Sequence, residues 1–158
     1  MDDHLKNVWP EWLIEEPAIG RGSYGVVYKA VKRERDLESY AAVKVISIPR
    51  DESEYDTLIA EGLTADNSKS AIDKIVNGFV NEIKLMEAFK GVQNIVSVED
   101  YKVCEKAQGV GYDIYIRMEL LSPFAKHLAN KDMDEAAVIK LGTDICTALE
   151  LTTLHTFH

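Results

Sequence analysis

The sequence predicts an α+β fold: a five-stranded antiparallel sheet with a helix inserted after the third strand and helix closing the chain. Three observations predict it. Residues 18–48 are rich in Val, Ile, Tyr and Ala and break at turn residues into three β-type runs. Residues 70–88 then switch to an apolar spacing near 3.6, and residues 94–121 return to two further β-rich runs. From Ser122-Pro123 onward the spacing is helical again.

Each element has its own warrant. Residues 1–16 carry Trp9, Trp12, Leu13 and Ile14 with Pro10, and read as a short lead-in packed on the body. Strands are expected near 17–22, 25–33 and 39–48, joined by tight turns, and Pro49 closes this segment. Residues 51–69 are acidic and polar, with a short helical patch at Tyr55, Leu58 and Ile59 that stops at Gly62. Ser70 with Asp73 three residues on resembles a capping box for the stronger helix, whose stripe is Ile72, Ile75, Val76, Phe79, Ile83 and Met86. Gly78 inside it costs about 1 kcal/mol relative to Ala, and Gly91 ends it. Runs 94–104 and 112–121 are the last two strands, separated by Gln108-Gly109-Val110-Gly111 as a hairpin connection. Residues 134–156 place Ala137, Ile139, Leu141, Ile145, Ala148, Leu149 and Leu154 on a broad helical stripe. Three segments follow: a lead-in at 1–16, a sheet-bearing body at 17–121 and a helical part at 122–158.

Composition narrows the function classes. The chain has 158 residues, 18 Lys plus Arg against 27 Asp plus Glu, and a formal charge of −9. That balance excludes a dedicated nucleic-acid binder, which needs a cationic face. No apolar run is long enough for a membrane span, and Met1-Asp2-Asp3-His4 lacks the features of a signal peptide. Cys104 and Cys146 are too few for a disulfide scaffold; they read as small buried apolar residues of a cytoplasmic protein.

Gly20-Arg21-Gly22-Ser23-Tyr24-Gly25 fits G-x-G-x-x-G. A dinucleotide-binding fold needs a helix after the motif, and here the β-rich Val26-Val27-Tyr28-Lys29-Ala30-Val31 follows instead. A P-loop is excluded because no Gly-Lys-Ser/Thr closes the motif. The loop is therefore a hairpin whose backbone N–H groups are open to phosphate oxygens, with Tyr24 at the tip as a lid. The competing reading is a plain glycine turn.

Within Tyr40-Ala41-Ala42-Val43-Lys44-Val45-Ile46, the strand period of two puts Ala42, Lys44 and Ile46 on one face. A buried ammonium needs an anion, so Lys44 either reaches solvent or finds a partner. Ala42 on the same face leaves room for a flat ring, with Lys44 one pleat further on. Glu82 lies between Phe79 and Met86 on the helical stripe, and is the expected partner of Lys44. A solvent-facing Glu82 at the stripe edge is the alternative, and Glu87 and Glu61 are weaker candidates. His155 and His158 read as helix-end histidines rather than a metal pair, so no metal ligand is assigned.

Together these residues resemble the small lobe of a protein kinase. Gly20 through Val27 is similar to the glycine-rich loop, with Val27 completing G-x-G-x-x-G-x-V. Ala42-Val43-Lys44 resembles the Ala-x-Lys of the third strand, and Asn81-Glu82-Ile83-Lys84-Leu85-Met86 the helix with its ion-pair glutamate. Asn94-Ile95-Val96 resembles the entry to the fourth strand. Ile116-Arg117-Met118-Glu119-Leu120-Leu121 resembles the fifth strand running into the hinge. The resemblance implies that Gly20, Gly22, Ser23, Tyr24, Gly25 and Lys44 hold ATP phosphates and that Glu82 orients Lys44. It further implies that Ile19, Val27 and Ala42 sandwich adenine, that Met118 stands at the back of the pocket, and that the backbone of Glu119 and Leu121 meets the adenine edge. Residues 17–121 would be the nucleotide-binding lobe, and 122–158 the first helices of a large lobe.

Two departures from the family pattern stand out. The interval from Lys44 to Glu82 is longer than usual, so residues 51–69 form an insertion. No His-Arg-Asp, Asp-Phe-Gly or Ala-Pro-Glu occurs in the sequence. The resemblance therefore implies an amino-terminal fragment of a Ser/Thr-type kinase, inactive alone, whose full-length parent would use magnesium and a protein substrate. Uncovered apolar surface on helix 134–156 predicts a homodimer or a segment-swapped oligomer. The alternatives are a nucleotide-binding pseudokinase and a dimerising scaffold module.

Overall fold

The computed structural model describes residues 7–60, 65–107, 109–129 and 133–156. One antiparallel sheet is built from β1 (Leu13–Gly22), β2 (Gly25–Glu34), β3 (Leu37–Ile48), β4 (Val98–Glu105) and β5 (Tyr112–Glu119), in the order β1-β2-β3-β5-β4. Helices α1 (Glu52–Ala60) and α2 (Ala65–Ala88) lie between β3 and β4, and α3 (Phe124–Ala129) and α4 (Glu135–Thr156) follow β5. This is the expected α+β fold. No helix among the described residues is long and apolar enough to cross a membrane.

β3 is the centre of the sheet, paired with β2 along one edge and β5 along the other. Its alternation sends side chains into two separate cores. Ala41 and Val43 join Ile14, Ala30 and Tyr115 on the outer face, where Val8, Trp9 and Trp12 cover them. Ile46 and Ile48 join Ile114, Ile116 and Val98 on the inner face, under Ile72, Val76 and Ile83 of α2. The sheet is thus sandwiched between the segment before β1 and α2.

The outer core is fastened by specific polar contacts. The Trp9 indole N–H donates to the Asp100 carboxylate at 2.6 Å. The Arg117 guanidinium lies over Trp9 and Trp12, 5.6 and 4.7 Å from the ring centres, and binds Glu99 at 2.6 Å. Lys102 donates to the Val8 carbonyl at 2.6 Å. On the inner side, a hydrogen bond to Asp73 pushes the Tyr112 hydroxyl up to about 12, which ties α2 to β5.

Several element boundaries differ from the sequence reading. β1 begins at Leu13, not near residue 17, because Leu13, Ile14 and Glu15 pair with Val31, Ala30 and Lys29. Pro17 is tolerated because it falls inside the register shift between Glu15 and Gly20. α2 is already helical at Ala65, so Ser70 is an interior residue and not a cap. β4 begins at Val98; Asn94, at a φ of 68°, makes the left-handed turn before it. Gly111, at a φ of 143°, runs so close to the Ile48 carbonyl that any Cβ would collide with it. Gln108, Glu61, His4 and His158 lie outside the described residues.

The first part of the acidic insertion forms α1, which Asp51 caps by accepting the Glu54 N–H at 2.9 Å, and residues 65–69 belong to α2. Asp134 caps α4 in the same way, accepting the Ala137 N–H at 2.8 Å. α4 matches its expected extent, but none of its described side chains is buried. Cys104 is half-buried, and Cys146 on α4 is exposed, contrary to the expectation that both are buried. The exposure follows from the packing of α4, which buries none of its described side chains on any face.

Replacing Trp9 with Ala removes both a buried ring and a bond to a carboxylate, and is expected to cost about 3–5 kcal/mol of stability in chemical denaturation. Trp9→Phe keeps most of the packing and is expected to lose only about 1.5–3 kcal/mol, the size of a hydrogen bond to a charged group.

Candidate functional site

The inner face of β3 and the register of its neighbours assemble the candidate residues. Val27 stands opposite Lys44 on β2, and Ile116 stands opposite Lys44 on β5. Ala42 stands opposite Met118. Between this face, the tip of the β1–β2 hairpin and α2 lies a cavity of about 520 Å³, within the size range of small-molecule sites. Tyr24, Lys44, Glu82 and Met118 all line it.

The glycines of the hairpin play two different parts. Gly25 has a φ of +149°, and a Cβ there would collide with the Val45 carbonyl. The sheet itself requires it. A Cβ at Gly22 would meet nothing within 4 Å, and one at Gly20 would come no closer than 3.9 Å to Val27. The fold therefore tolerates a side chain at Gly20 and Gly22. Their glycines leave the hairpin backbone bare, which suits close approach of a ligand; Gly22 borders a separate cavity on the outer face of the sheet.

Lys44 and Glu82 share the cavity but do not pair. Lys44 is half-buried and Glu82 is exposed, with no ion pair within 4.0 Å between them or to any other described residue. The sequence reading placed Glu82 inside the buried stripe. The structure instead turns Ile83 into the core at 1% exposure and leaves Glu82 at the cavity rim. One residue along a helix is a rotation of about 100°, enough to move a side chain from the packed stripe to its edge. Gly78 also lines the cavity, where the missing side chain contributes to its volume.

The remaining predicted residues, Ile19, Val27, Ala42, Glu119 and Leu121, lie on the sheet or just beyond its end and are not among the residues that line the cavity. Ala42 is buried, and Val27 is half-buried. Ile19 is exposed beside Gly20, and Leu121 is exposed beyond the end of β5. Glu119 is held by Ser97 from both sides: its N–H donates to the Ser97 carbonyl at 3.2 Å, and its carboxylate accepts the Ser97 N–H at 3.0 Å. Further along the inner face, Lys29 lies opposite Ala42 and pairs with Glu15 at 2.9 Å. That hydrogen bond raises the Lys29 ammonium above its usual range.

Sequence reasoning missed Arg50 and Glu54. The Arg50 guanidinium donates to the Ser23 carbonyl at the tip of the glycine hairpin, at 3.1 Å. Glu54, in the first turn of α1, accepts the Arg50 backbone N–H at 2.5 Å and lies 3.4 Å from its Nε. The insertion thus grips the hairpin tip through one arginine. An arginine next to an acidic run reads in sequence as solvated surface, so there was no signal to find it.

The sequence matches no protein-family model and no curated protein. Among solved structures, the chain is similar to the crystal structure of Rad53 1–466 in complex with AMP-PNP, at 17% identity and a TM-score of 0.48. The match covers 85% of this chain and 29% of that one, so this chain spans well under half the length of that protein.

Removing the grip on the hairpin tip should free it without unfolding the sheet. Arg50→Ala is expected to speed hydrogen exchange of the amides of residues 22–25 by about 10-fold, the equivalent of one charge-assisted hydrogen bond. Exchange within β3 and β5 should not change.

Proposed function

We propose that this chain is the nucleotide-binding lobe of a protein kinase of the Ser/Thr type. The observation that carries the reading is the Ala42–Lys44 pleat. It sets a methyl-sized side chain and an unpaired ammonium side by side on the inner face, beneath a hairpin whose Gly20 and Gly22 are not required by the fold. That set fits a purine nucleotide. Ala42, Val27, Ile19 and Met118 offer apolar surface to the ring, and the backbone of Glu119 and Leu121 its polar edge. Lys44 and the N–H groups of Gly20 through Gly25 offer cationic and dipolar contacts to phosphate. Tyr24 closes the hairpin side.

ATP would supply the phosphoryl group, and magnesium, when bound, would neutralise its charge. The residues of this chain bind and orient. Lys44 holds phosphate, and Glu82, once α2 turns it toward the sheet, fixes the Lys44 ammonium. The pair is open here, so nucleotide binding works against the rearrangement needed to close it, and weak affinity follows. With no His-Arg-Asp or Asp-Phe-Gly in its sequence, the chain carries the phosphate-holding half of the chemistry and is expected to show no phosphoryl transfer alone.

A second reading, association of two copies through α4, rests on its exposed apolar face. Val138, Ile139, Ile145 and Leu149 recur at helical spacing, and each is more than half exposed. This is compatible with the first reading, since α4 lies outside the nucleotide cavity.

Calorimetry with Mg·ATP should give a dissociation constant of about 0.1–1 mM, and Lys44→Ala should weaken it about 10- to 100-fold. Equal affinity for the two proteins would sink the nucleotide reading. In sedimentation, the chain should form dimers that Ile145→Glu with Leu149→Glu converts to monomers; a monomeric parent chain would remove the second reading.

A further inference from the structure

The outer face of the sheet holds a second cavity of about 430 Å³. The strand period separates it from the first: Lys44 and Ile46 line one, Val45 and Ser47 the other. Its walls are Val26, Val45, Tyr28 and Tyr115, and Arg21 and Arg50 also line it. Asp113 lines it as well. At 9% exposure, Asp113 is the one buried charged residue among those described.

Among the described residues Asp113 has no partner. It makes no hydrogen bond or ion pair with any described residue, and its register neighbours, Ser47 on β3 and Cys104 on β4, carry no cation. The Asp113 oxygens are not among the occluded, unpaired side-chain atoms of the described residues, so they meet solvent through the cavity, where a cationic group would find them. Arg50 is already turned to Ser23 and Glu54, while Arg21 is exposed and makes no ion pair among the described residues. The cavity therefore sets one solvent-accessible carboxylate, without a protein partner among the described residues, in the same wall set as guanidinium groups.

That charge pattern selects a class of ligand. A simple anion suits the arginines but is repelled by Asp113. A bare metal ion suits Asp113 but finds a single carboxylate among arginines and aliphatic side chains. A ligand carrying both signs satisfies both, and the valines and tyrosines suit a short hydrocarbon stem between its charges. We propose that this outer-face cavity binds a small zwitterion of the basic amino-acid class, its ammonium or guanidinium on Asp113 and its carboxylate on Arg21 and Arg50. The site is independent of the nucleotide reading, because it lies on the other face of the sheet.

The test is a titration of isotope-labelled protein followed by amide NMR shifts. Free L-arginine is expected to shift Tyr28, Ser47 and Asp113 and to saturate in the millimolar range, about what two charge-assisted contacts support. L-arginine amide, which keeps the cations and lacks the carboxylate, should bind about 10-fold more weakly, and glutarate, with no cation, should leave these residues unmoved. Equal binding of L-arginine and its amide would show that the carboxylate has no site, overturning the zwitterion proposal. Asp113→Asn should abolish binding. Arg21→Gln, at an exposed position that cannot disturb the core, should weaken it about 10-fold even if the Asn variant fails to fold. No shift at Ser47 and Asp113, or L-arginine binding unchanged in Arg21→Gln, would overturn the proposal. Mg·ATP titrated alongside should move Lys44 and leave Asp113 still, which keeps this outcome separate from that of the nucleotide site.

Discussion

The period of two along β3 is the constraint on which the rest of the structure depends. As the central strand it has partners on both edges, so it cannot slip without breaking both ladders. Its register is therefore settled by Ala41 and Val43, which must stay under the two tryptophans, and by Ile46 and Ile48, which must stay under α2. Lys44 lies between those apolar anchors and has no freedom to choose its face. The packing of hydrophobic residues on either side is what aims a cation at the inner cavity. The same packing aims Ser47 at the outer one.

Two cavities on opposite faces share one boundary. The glycine hairpin closes the end of both: Tyr24 reaches the inner cavity, while Arg21 and Gly22 line the outer one. Arg50 stands where the faces meet, gripping Ser23 from the first turn beyond β3 and lining the outer cavity. Because α1 supplies Glu54 to this arginine, the inserted acidic segment is mechanically part of the hairpin's support.

The open spacing of Lys44 and Glu82 has a physical cause in α2. That helix docks by Ile72, Val76 and Ile83, while Phe79 and Met86 are only half-buried. Gly78 withholds a side chain where the helix faces the cavity. The result is a helix anchored to the sheet through its isoleucines, with its carboxylate left at the rim. Bringing Glu82 inward requires rotating those isoleucines or tilting the helix, and neither is driven by the sheet alone.

Much of this was legible in the residues. The succession of strands and helices along the chain, the glycine hairpin, the face shared by Ala42 and Lys44, and the extent of α4 follow from local chemistry: β-branched runs, turn glycines, period two and period 3.6; the place of β5 between β3 and β4 does not. Those signals act between near neighbours, so one chain is enough to read them. What the residues did not disclose acts across distance. The early start of β1 depends on pairing with β2, and the register shift there absorbs Pro17. The exposure of Glu82 depends on which of two adjacent helix positions fits under the sheet. Arg50 reaches Ser23 across 27 positions of sequence, and the burial of Asp113 depends on β5 running between β3 and β4. The sequence by itself determined the elements and the face each side chain takes within them, since backbone geometry sets both. Only the tertiary structure decided which charges meet and which stay apart, because that is fixed by how far one packed element sits from the next.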